Sequence, residues 1–188
     1  MSDSRISRRD LLQLSAFGLG SLGLGGVPLA RTGGSVTLVV SPDDPVATAP
    51  PVLRALLELQ QVLARRGVTA RQVETIEKAP SGSVCVVVAG CAAAMAGAAL
   101  QQAGVTVPPG AESLALVPSS LGNRPVLLAC GHLARGLMYA VLELVERCEL
   151  TADPLASLAP ARPLVEKPFN LVRAIGRPFV SDVEDKIW

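Results

Sequence analysis

The sequence predicts a mixed α/β fold, with helices packed mainly on one face of a mixed β-sheet in the order β-α-β-β-α-β-β-α. Short β-branched runs alternate along the chain with stretches in which leucine and valine recur at helical spacing. Two helices that each connect one strand to the next alternate with directly paired strands. This pattern favours a mixed sheet over a doubly wound parallel one. The length of 188 residues suits one domain with its own hydrophobic core.

The first half of the predicted domain contains a strand, a helix and a second strand. The run 35–40 is β-branched and is closed by a turn cluster of serine, proline and aspartate at 41–45. Pro51 opens a stretch in which apolar side chains recur at helical spacing as far as Gly67. This stretch predicts an amphipathic helix of about four turns. Weak alternation over 68–76 predicts the second strand.

The second half begins with the continuous apolar run 84–90, which is typical of a central strand. The alanine-rich stretch 91–103 predicts a helix that ends at Gly104, and its small side chains favour close packing on the sheet. Two further strands, 112–117 and 125–130, are predicted to form a hairpin around the Gly-Asn dipeptide between them.

The last predicted helix, 133–149, has an apolar side and a charged side on which Glu143 and Arg147 are spaced four apart. Tyr139, the only aromatic residue within 31–165, is predicted to point toward the core. Sugar-binding surfaces usually stack rings on aromatic side chains, so an independent carbohydrate-binding module is disfavoured. Three glutamates at a spacing of three are interpreted as a solvated face: Glu143, Glu146 and Glu149.

Composition and charge exclude several classes of partner. The chain is 49% hydrophobic and 18% charged, as expected of a globular protein. When residues 1–30 are set aside, 14 basic and 14 acidic side chains remain, with no lysine and arginine cluster to follow a phosphate backbone. Nucleic acid is therefore not expected as a partner. No phosphate-binding glycine loop is present in the predicted domain, and no cofactor is expected.

The four cysteines are separated by 6, 39 and 18 positions, none of which is the close paired spacing of a zinc site, so no metal is expected. Cys85, Cys130 and Cys148 fall within predicted strands or a helix and are interpreted as small buried residues. The disulfide state stays open. A cysteine–histidine pair of Cys130 and His132 is a weaker hypothesis, since two residues across a strand end seldom reach catalytic geometry. His132 is favoured as a polar residue at a helix start.

Two adjacent arginines, Arg8 and Arg9, precede an uncharged, glycine-rich stretch that extends to Ala30. The motif resembles the Ser-Arg-Arg-x-Phe-Leu-Lys pattern of bacterial twin-arginine export signals. The resemblance implies an exported protein, periplasmic or extracellular, that touches the membrane only transiently through the leader 1–30. A transmembrane helix is disfavoured, because a glycine-rich span of 17 residues is at the short limit for crossing a bilayer. Whether the leader is cleaved stays open.

Three blocks of the predicted domain share a pattern with a known family. They are the strand Glu112-Ser113-Leu114-Ala115-Leu116, the strand Val126-Leu127-Leu128-Ala129, and the helix start Gly131-x-x-x-Arg135-Gly136-Leu137-Met138-Tyr139-Ala140-Val141. They resemble the N-terminal domain that precedes the catalytic barrel in family 20 β-hexosaminidases and family 67 α-glucuronidases. The segment Asn170-Leu171-Val172-Arg173-Ala174-Ile175-Gly176-Arg177 looks like the strand with which such barrels begin.

The resemblance implies a division into four segments: a twin-arginine signal at 1–30, an α/β accessory domain at 34–150, a proline-rich connector at 151–169, and the start of a catalytic barrel at 170–188. The barrel, in the same or an adjacent chain, would hydrolyse a glycosidic bond of a carbohydrate substrate, and this chain would contain no catalytic residue of its own.

Arg173 matches by position an arginine that reaches sugar hydroxyls in the hexosaminidases, so it is the candidate substrate-binding residue; the alternative is a structural arginine. Asp182, Glu184 and Asp185 are interpreted as a solvated loop. The alternative for the whole chain is a free-standing periplasmic binding or assembly domain, in which the last twenty residues dock on another chain.

Overall fold

A computed structural model of the chain describes residues 34–169. Within this range the chain forms a six-stranded sheet in the order β2-β1-β3-β5-β4-β6. The predicted mixed α/β class and the predicted element order are confirmed as far as α3. The elements are β1 (Ser35–Val39), α1 (Pro50–Arg65), β2 (Thr69–Val73), a 3-10 turn (Ile76–Lys78), β3 (Val84–Gly90), α2 (Ala94–Ala103), β4 (Leu114–Leu121), β5 (Arg124–Gly131), α3 (Ala134–Leu150), α4 (Pro154–Ser157) and β6 (Leu164–Glu166).

The sheet is mixed because a parallel set of strands is extended by a hairpin. Strand β1 lies parallel to β2 and β3, and β3 lies parallel to β5. Strand β4 is antiparallel to β5, and the pair Leu121–Arg124 closes the hairpin, so the turn contains only Gly122 and Asn123. Gly122 has a φ of 59°, as the first position of a type II′ turn requires. The hairpin strands are therefore longer than the sequence predicted.

Helices cover both faces of the sheet, with two of the three longer ones on the same face. Helices α1 and α3 pack together over one face, in a core built mainly from leucine and valine. Helix α2 covers the other face, where Ala96 and Ala99 are fully buried. These small side chains let the helix lie close to the strands, as its alanine-rich sequence predicted.

Residues 151–169, predicted as a proline-rich connector, contain two short elements that pack on the domain. Asp153 caps α4 by accepting hydrogen bonds from the amides of Leu155 (2.9 Å) and Ala156 (3.3 Å). Leu158 is 1% exposed and belongs to the core beneath α1 and α3. Strand β6 then pairs antiparallel with β4, and Val165 lies opposite Ala115. The segment thus extends the sheet by one edge strand.

Several predictions fall outside the described residues. These are the leader with Arg8 and Arg9, the predicted barrel strand with Arg173, and the acidic residues from Asp182 onward. Among the helices within 34–169, none combines the length and the apolar character needed to cross a bilayer.

Candidate functional site

The carboxyl ends of the parallel strands β1, β3 and β5 meet at one edge of the sheet, which is where ligands bind in open α/β folds. Chemically capable side chains follow each of these strands. Asp44 lies in the loop after β1, Cys91 directly follows β3, and His132 directly follows β5. Cys130 lies one residue before the end of β5. We call this group the strand-end cluster.

Asp44 is the most fully engaged member of the strand-end cluster. Its buried carboxylate accepts three backbone hydrogen bonds. Oδ1 accepts from the amides of Val46 (2.9 Å) and Ala47 (3.2 Å), and Oδ2 accepts from the amide of Gly90 (2.6 Å). The carboxylate therefore joins the loop after β1 to the end of β3. Because both oxygens are occupied by backbone donors, Asp44 has a structural role in holding the loop to β3.

The hydrogen bond between the Gly90 amide and the Asp44 carboxylate requires a glycine at position 90. A β-carbon at this position would lie 2.9 Å from Cβ of Val46 and 3.2 Å from the Asp44 carboxylate. Glycine lets the β3 backbone approach the loop closely enough for its amide to reach Asp44. Asp44 could not be identified from the sequence, because its role depends on strand neighbours that the sequence pattern does not order.

Cys91 and Cys130 lie at the ends of the neighbouring strands β3 and β5, with their side chains on the same face of the sheet. A hydrogen bond from the Cys130 thiol lowers the pKa of Cys91 to about 7, with a smaller contribution from the charge of His132. Burial and the negative charge of Asp44 oppose this change. The same hydrogen bond, together with burial, raises the pKa of Cys130. Cys91 is half-buried, whereas Cys130 is fully buried, so Cys91 is the more acidic and the more accessible thiol.

The hypothesis of a Cys130–His132 nucleophile is not supported by this arrangement. The Nε2 atom of His132 lies 3.1 Å from the backbone carbonyl oxygen of Val107 and is engaged there. Cys130 has a raised pKa, the opposite of what a nucleophilic thiol needs. His132 lies between the end of β5 and the start of α3, in the position the sequence favoured for it.

The junction between β5 and α3 explains the glycines in the motif that carries the family resemblance. A β-carbon on Gly131 would come well under 3.0 Å from the backbone of Leu137. A β-carbon on Gly136 would come equally close to the carbonyl oxygen of Ser113. The amide of Gly136 donates to the carbonyl of Ala111 at 3.1 Å. Both glycines therefore allow α3 to begin in direct backbone contact with the strand before it and the loop before β4.

Arg135, between these glycines, forms a salt bridge with Glu112: its Nη1 lies 3.1 Å from Oε1. The side chain of Glu112 is only 17% exposed, whereas that of Arg135 is 64% exposed. The motif Gly131-x-x-x-Arg135-Gly136 thus has a packing role in this domain. It joins the first turn of α3 to the strand that carries the first block of the resemblance.

A groove of about 760 Å³ lies between α3 and β6, and we call it the edge groove. Tyr139 lines it and is 36% exposed, so the prediction that Tyr139 points toward the core is wrong. The buried stripe of α3 is centred on Leu137, Val141 and Leu144, and Tyr139 lies about half a turn away from it. Tyr139 is therefore available to pack against another domain or a sugar ring.

The edge groove extends as far as Pro168, one residue before the end of the described chain. Val165 on β6 is 37% exposed and lines the groove, together with Leu142 and Pro168. Phe169, the next residue, is 99% exposed. Charged side chains also line the groove, so its lining is mixed: Glu112, Glu143, Glu146, Glu166 and Lys167.

A second groove, of about 930 Å³, lies at the amino ends of β3 and β5, beside the turn of the β4–β5 hairpin, and we call it the hairpin groove. It is formed by the 3-10 turn, the β4–β5 hairpin and the segment after α4. Its walls are mainly apolar. Arg124 at its rim donates through Nη1 to the carbonyl of Ala79 at 2.6 Å, so the guanidinium is partly committed to the fold.

The remaining sequence-predicted candidates lie where a structural role places them. Glu143 is bonded to Arg147 at 2.8 Å, as their spacing predicted, and Glu149 lies 3.5 Å from Arg65. Glu146 is exposed. Cys85 and Cys148 are buried, as expected. Within residues 34–169 no group of three or more histidine, cysteine or acidic side chains could hold a metal ion.

Comparison with known proteins gives weak structural similarity to two glycoside hydrolases. One is a family GH115 4-O-methyl-α-glucuronidase with specificity for decorated arabinogalactans, at 19% identity and a TM-score of 0.47, over 64% of this chain. The other is a GH138 enzyme targeting pectin rhamnogalacturonan II, at 13% identity and a TM-score of 0.46, over 71% of this chain. The matched region spans only 14% and 15% of those chains. No family model and no curated protein matches the sequence.

Proposed function

We propose that residues 34–169 form a non-catalytic accessory domain of an exported carbohydrate-active hydrolase, and that a catalytic barrel docks on the edge groove beside Phe169. The barrel would hydrolyse a glycosidic bond, and the accessory domain would stabilise it. The observation that carries this proposal is the complete exposure of Phe169, an aromatic side chain at the point where the barrel is predicted to begin.

The exposed apolar side chains on this surface support a covered state. Burying a phenylalanine side chain contributes about 2 kcal/mol relative to leaving it in water. Phe169 is continuous in the chain with Val165, and Tyr139 lines the same groove from α3. Together they offer a domain that follows residue 169 three exposed apolar side chains set among charged ones, and non-obligate interfaces are mixed in this way.

The charged groups of the described domain support a non-catalytic role. Glycoside hydrolysis uses two carboxyl groups that flank the substrate. Asp44 is saturated by backbone amides, and Glu143 and Glu149 form ion pairs on the surface of α3. The acid pair of the proposed enzyme would therefore belong to the barrel. Arg173 would reach sugar hydroxyls from the first barrel strand, so the carbohydrate is a partner only through the barrel.

Export through the twin-arginine leader completes the proposal. Arg8 and Arg9 would direct the protein, already folded, to the periplasm or beyond the cell. This route suits an α/β domain that must dock on a large barrel before it crosses the membrane.

The proposal is tested on the protein as the source cells produce it. An antiserum raised against the domain is expected to recognise, in the exported fraction, a polypeptide larger than 19.4 kDa or a stable complex of this chain with a second polypeptide. The immunoprecipitate should hydrolyse at least one member of a panel of chromogenic glycosides and glucuronides, and pre-immune serum should precipitate no activity. A free chain of 19.4 kDa or less, without partner or activity, would contradict the proposal.

A pair of surface substitutions tests the docking position within that active material. Phe169→Ser is expected to shorten the half-life of the glycosidase activity on heating by about tenfold, because a buried phenylalanine no longer holds the barrel. Leu53→Ser is the matched control, since Leu53 is 43% exposed on α1, outside the edge groove. It should change the half-life by less than about twofold. Equal effects of the two substitutions would place the barrel elsewhere.

The hairpin groove favours the alternative of a free-standing binding domain, because its mainly apolar walls and large volume could hold a small molecule. In that case the antiserum would recognise only the free chain. The same experiment therefore separates the two functions.

A further inference from the structure

We propose that Cys91 and Cys130 are a disulfide-forming pair, oxidised by exchange with a small-molecule disulfide such as oxidised glutathione. The two thiols are 39 positions apart in the sequence but lie at the adjacent ends of β3 and β5. The inference concerns the thiol chemistry of this domain and does not depend on the proposed hydrolase.

Strand pairing brings the two cysteines together. Gly90, which precedes Cys91, lies opposite Gly131, which follows Cys130. The amide of Cys91 donates to the carbonyl of Gly131 at 3.0 Å and fixes the backbone at the end of both strands. Both side chains belong to the same face of the sheet, beside α2, and Cys91 lies two positions beyond Ala89, the residue opposite Cys130. The two cysteines are therefore diagonal neighbours on adjacent strands, and bringing them together requires no change of strand register.

The other two cysteines occupy different surroundings. Cys85 lies at the opposite end of β3, next to Val86, whose partner is Leu127. It is about four strand residues, roughly 13 Å, from Cys130, beyond the reach of a disulfide. Its sulfur lies 3.8 Å from Nη1 of Arg124. Cys148 lies on α3, on the other face of the sheet, where its sulfur is 3.6 Å from Oγ of Ser157.

The exposure and the pKa of each thiol determine which of the two cysteines reacts first with oxidised glutathione. The thiolate of half-buried Cys91 attacks one sulfur of oxidised glutathione, which breaks that S–S bond and releases one glutathione thiolate. The sulfur of buried Cys130, on losing its proton, then attacks the Cys91 sulfur and releases the second glutathione thiolate. Two protein thiols are oxidised and one disulfide is reduced to two thiols, which take up the two protons. His132 and Asp44 are the titratable groups that act electrostatically on Cys91.

The test begins with the reduced full chain, incubated with oxidised glutathione at neutral pH. The product is expected to be lighter by two hydrogen atoms and to retain two free thiols. Cleavage after glutamate without reduction should link fragment 78–112, which contains Cys85 and Cys91, to fragment 113–143, which contains Cys130. Tandem fragmentation assigns the link to Cys91. A native protein that keeps four free thiols, or a link through Cys85 or Cys148, would overturn the proposal.

Variants test the order of the steps. Cys130→Ser should stop at a single glutathione adduct on Cys91, and Cys91→Ser should form neither the adduct nor the disulfide. Cys85→Ser and Cys148→Ser are the controls and should still form the disulfide. A stable adduct on Cys91 in the unmodified protein would show that Cys130 cannot resolve it, and would also overturn the proposal.

The pH dependence gives an independent measurement of the thiol contact. The rate at which a disulfide reagent modifies Cys91 should rise with pH to a plateau, with a midpoint near the pKa of about 7. In Cys130→Ala the hydrogen-bond donor is lost, so the midpoint moves to higher pH and the rate at pH 7 falls by up to about sixfold, after allowance for the greater nucleophilicity of the more basic thiolate. An unchanged midpoint in a folded Cys130→Ala variant would contradict the contact.

Discussion

Replacing Gly136 with alanine is expected to lower the free energy of unfolding by about 2–4 kcal/mol. The added β-carbon would meet the carbonyl oxygen and carbon of Ser113 and the carbonyl carbon of Glu112, all of which are backbone atoms. No side chain can rotate to relieve this overlap, so α3 must move away from the loop before β4. Urea unfolding followed by circular dichroism measures the loss. Gly131→Ala should behave similarly, because its contacts are also backbone atoms.

Gly97→Ala is the control for this substitution. Gly97 lies within α2, and a β-carbon there would meet nothing within 4 Å. Alanine should therefore stabilise the domain by about 0.5–1 kcal/mol, since it restricts the unfolded chain without a clash. If Gly136→Ala were as stable as Gly97→Ala, the close contact between α3 and the loop before β4 would be refuted, and with it the packing role of the motif.

The order of the elements could be predicted from the sequence because it depends on local patterns. The β-branched runs and the helical spacing of leucine gave the sequence of strands and helices through α3. The spatial order of the strands depends on long-range packing instead. Strand β4 precedes β5 in the chain but lies farther from the sheet centre, so β5 pairs with β3. No periodicity in the sequence specifies that arrangement.

The strand-end cluster was missed for the same reason. The contact between Cys91 and Cys130 requires β3 and β5 to be neighbours, and the interaction of Asp44 with Gly90 requires β1 and β3 to be neighbours. A usable signal did exist in the glycines that end both central strands, Gly90 and Gly131, since each permits close backbone approach. These glycines indicate tight packing, but they do not show which strands are neighbours.

Tyr139 and β6 show two other limits of sequence analysis. Tyr139 adjoins the apolar stripe in the sequence but lies about half a turn from its centre, which careful helical phasing could have shown. The prolines around β6 suggested a connector, because proline is rare in sheet interiors. Strand β6 is a three-residue edge strand, and none of its residues, Leu164–Glu166, is a proline. Short edge strands of this kind leave almost no pattern in the sequence.

Replacing Asp44 with alanine is expected to cost about 3 kcal/mol of unfolding free energy, the largest loss for any acidic side chain that the structure describes. The amides of Val46, Ala47 and Gly90 would lose their acceptor in a region from which water is largely excluded. Asp44→Asn should lose less than Asp44→Ala, because one carbonyl oxygen remains while the amide nitrogen faces a backbone donor. Unfolding in urea at pH 7 measures the free energy of unfolding of the unmodified protein and of the two variants.

Asp43→Ala is the matched control, because Asp43 is the exposed neighbour of Asp44 in the same loop. Its removal should change the stability by less than about 0.5 kcal/mol. If Asp44→Ala were as stable as Asp43→Ala, the carboxylate would not be holding the loop to β3. A large loss for Asp44→Ala, with a smaller one for Asp44→Asn, ties the carboxylate to the fold.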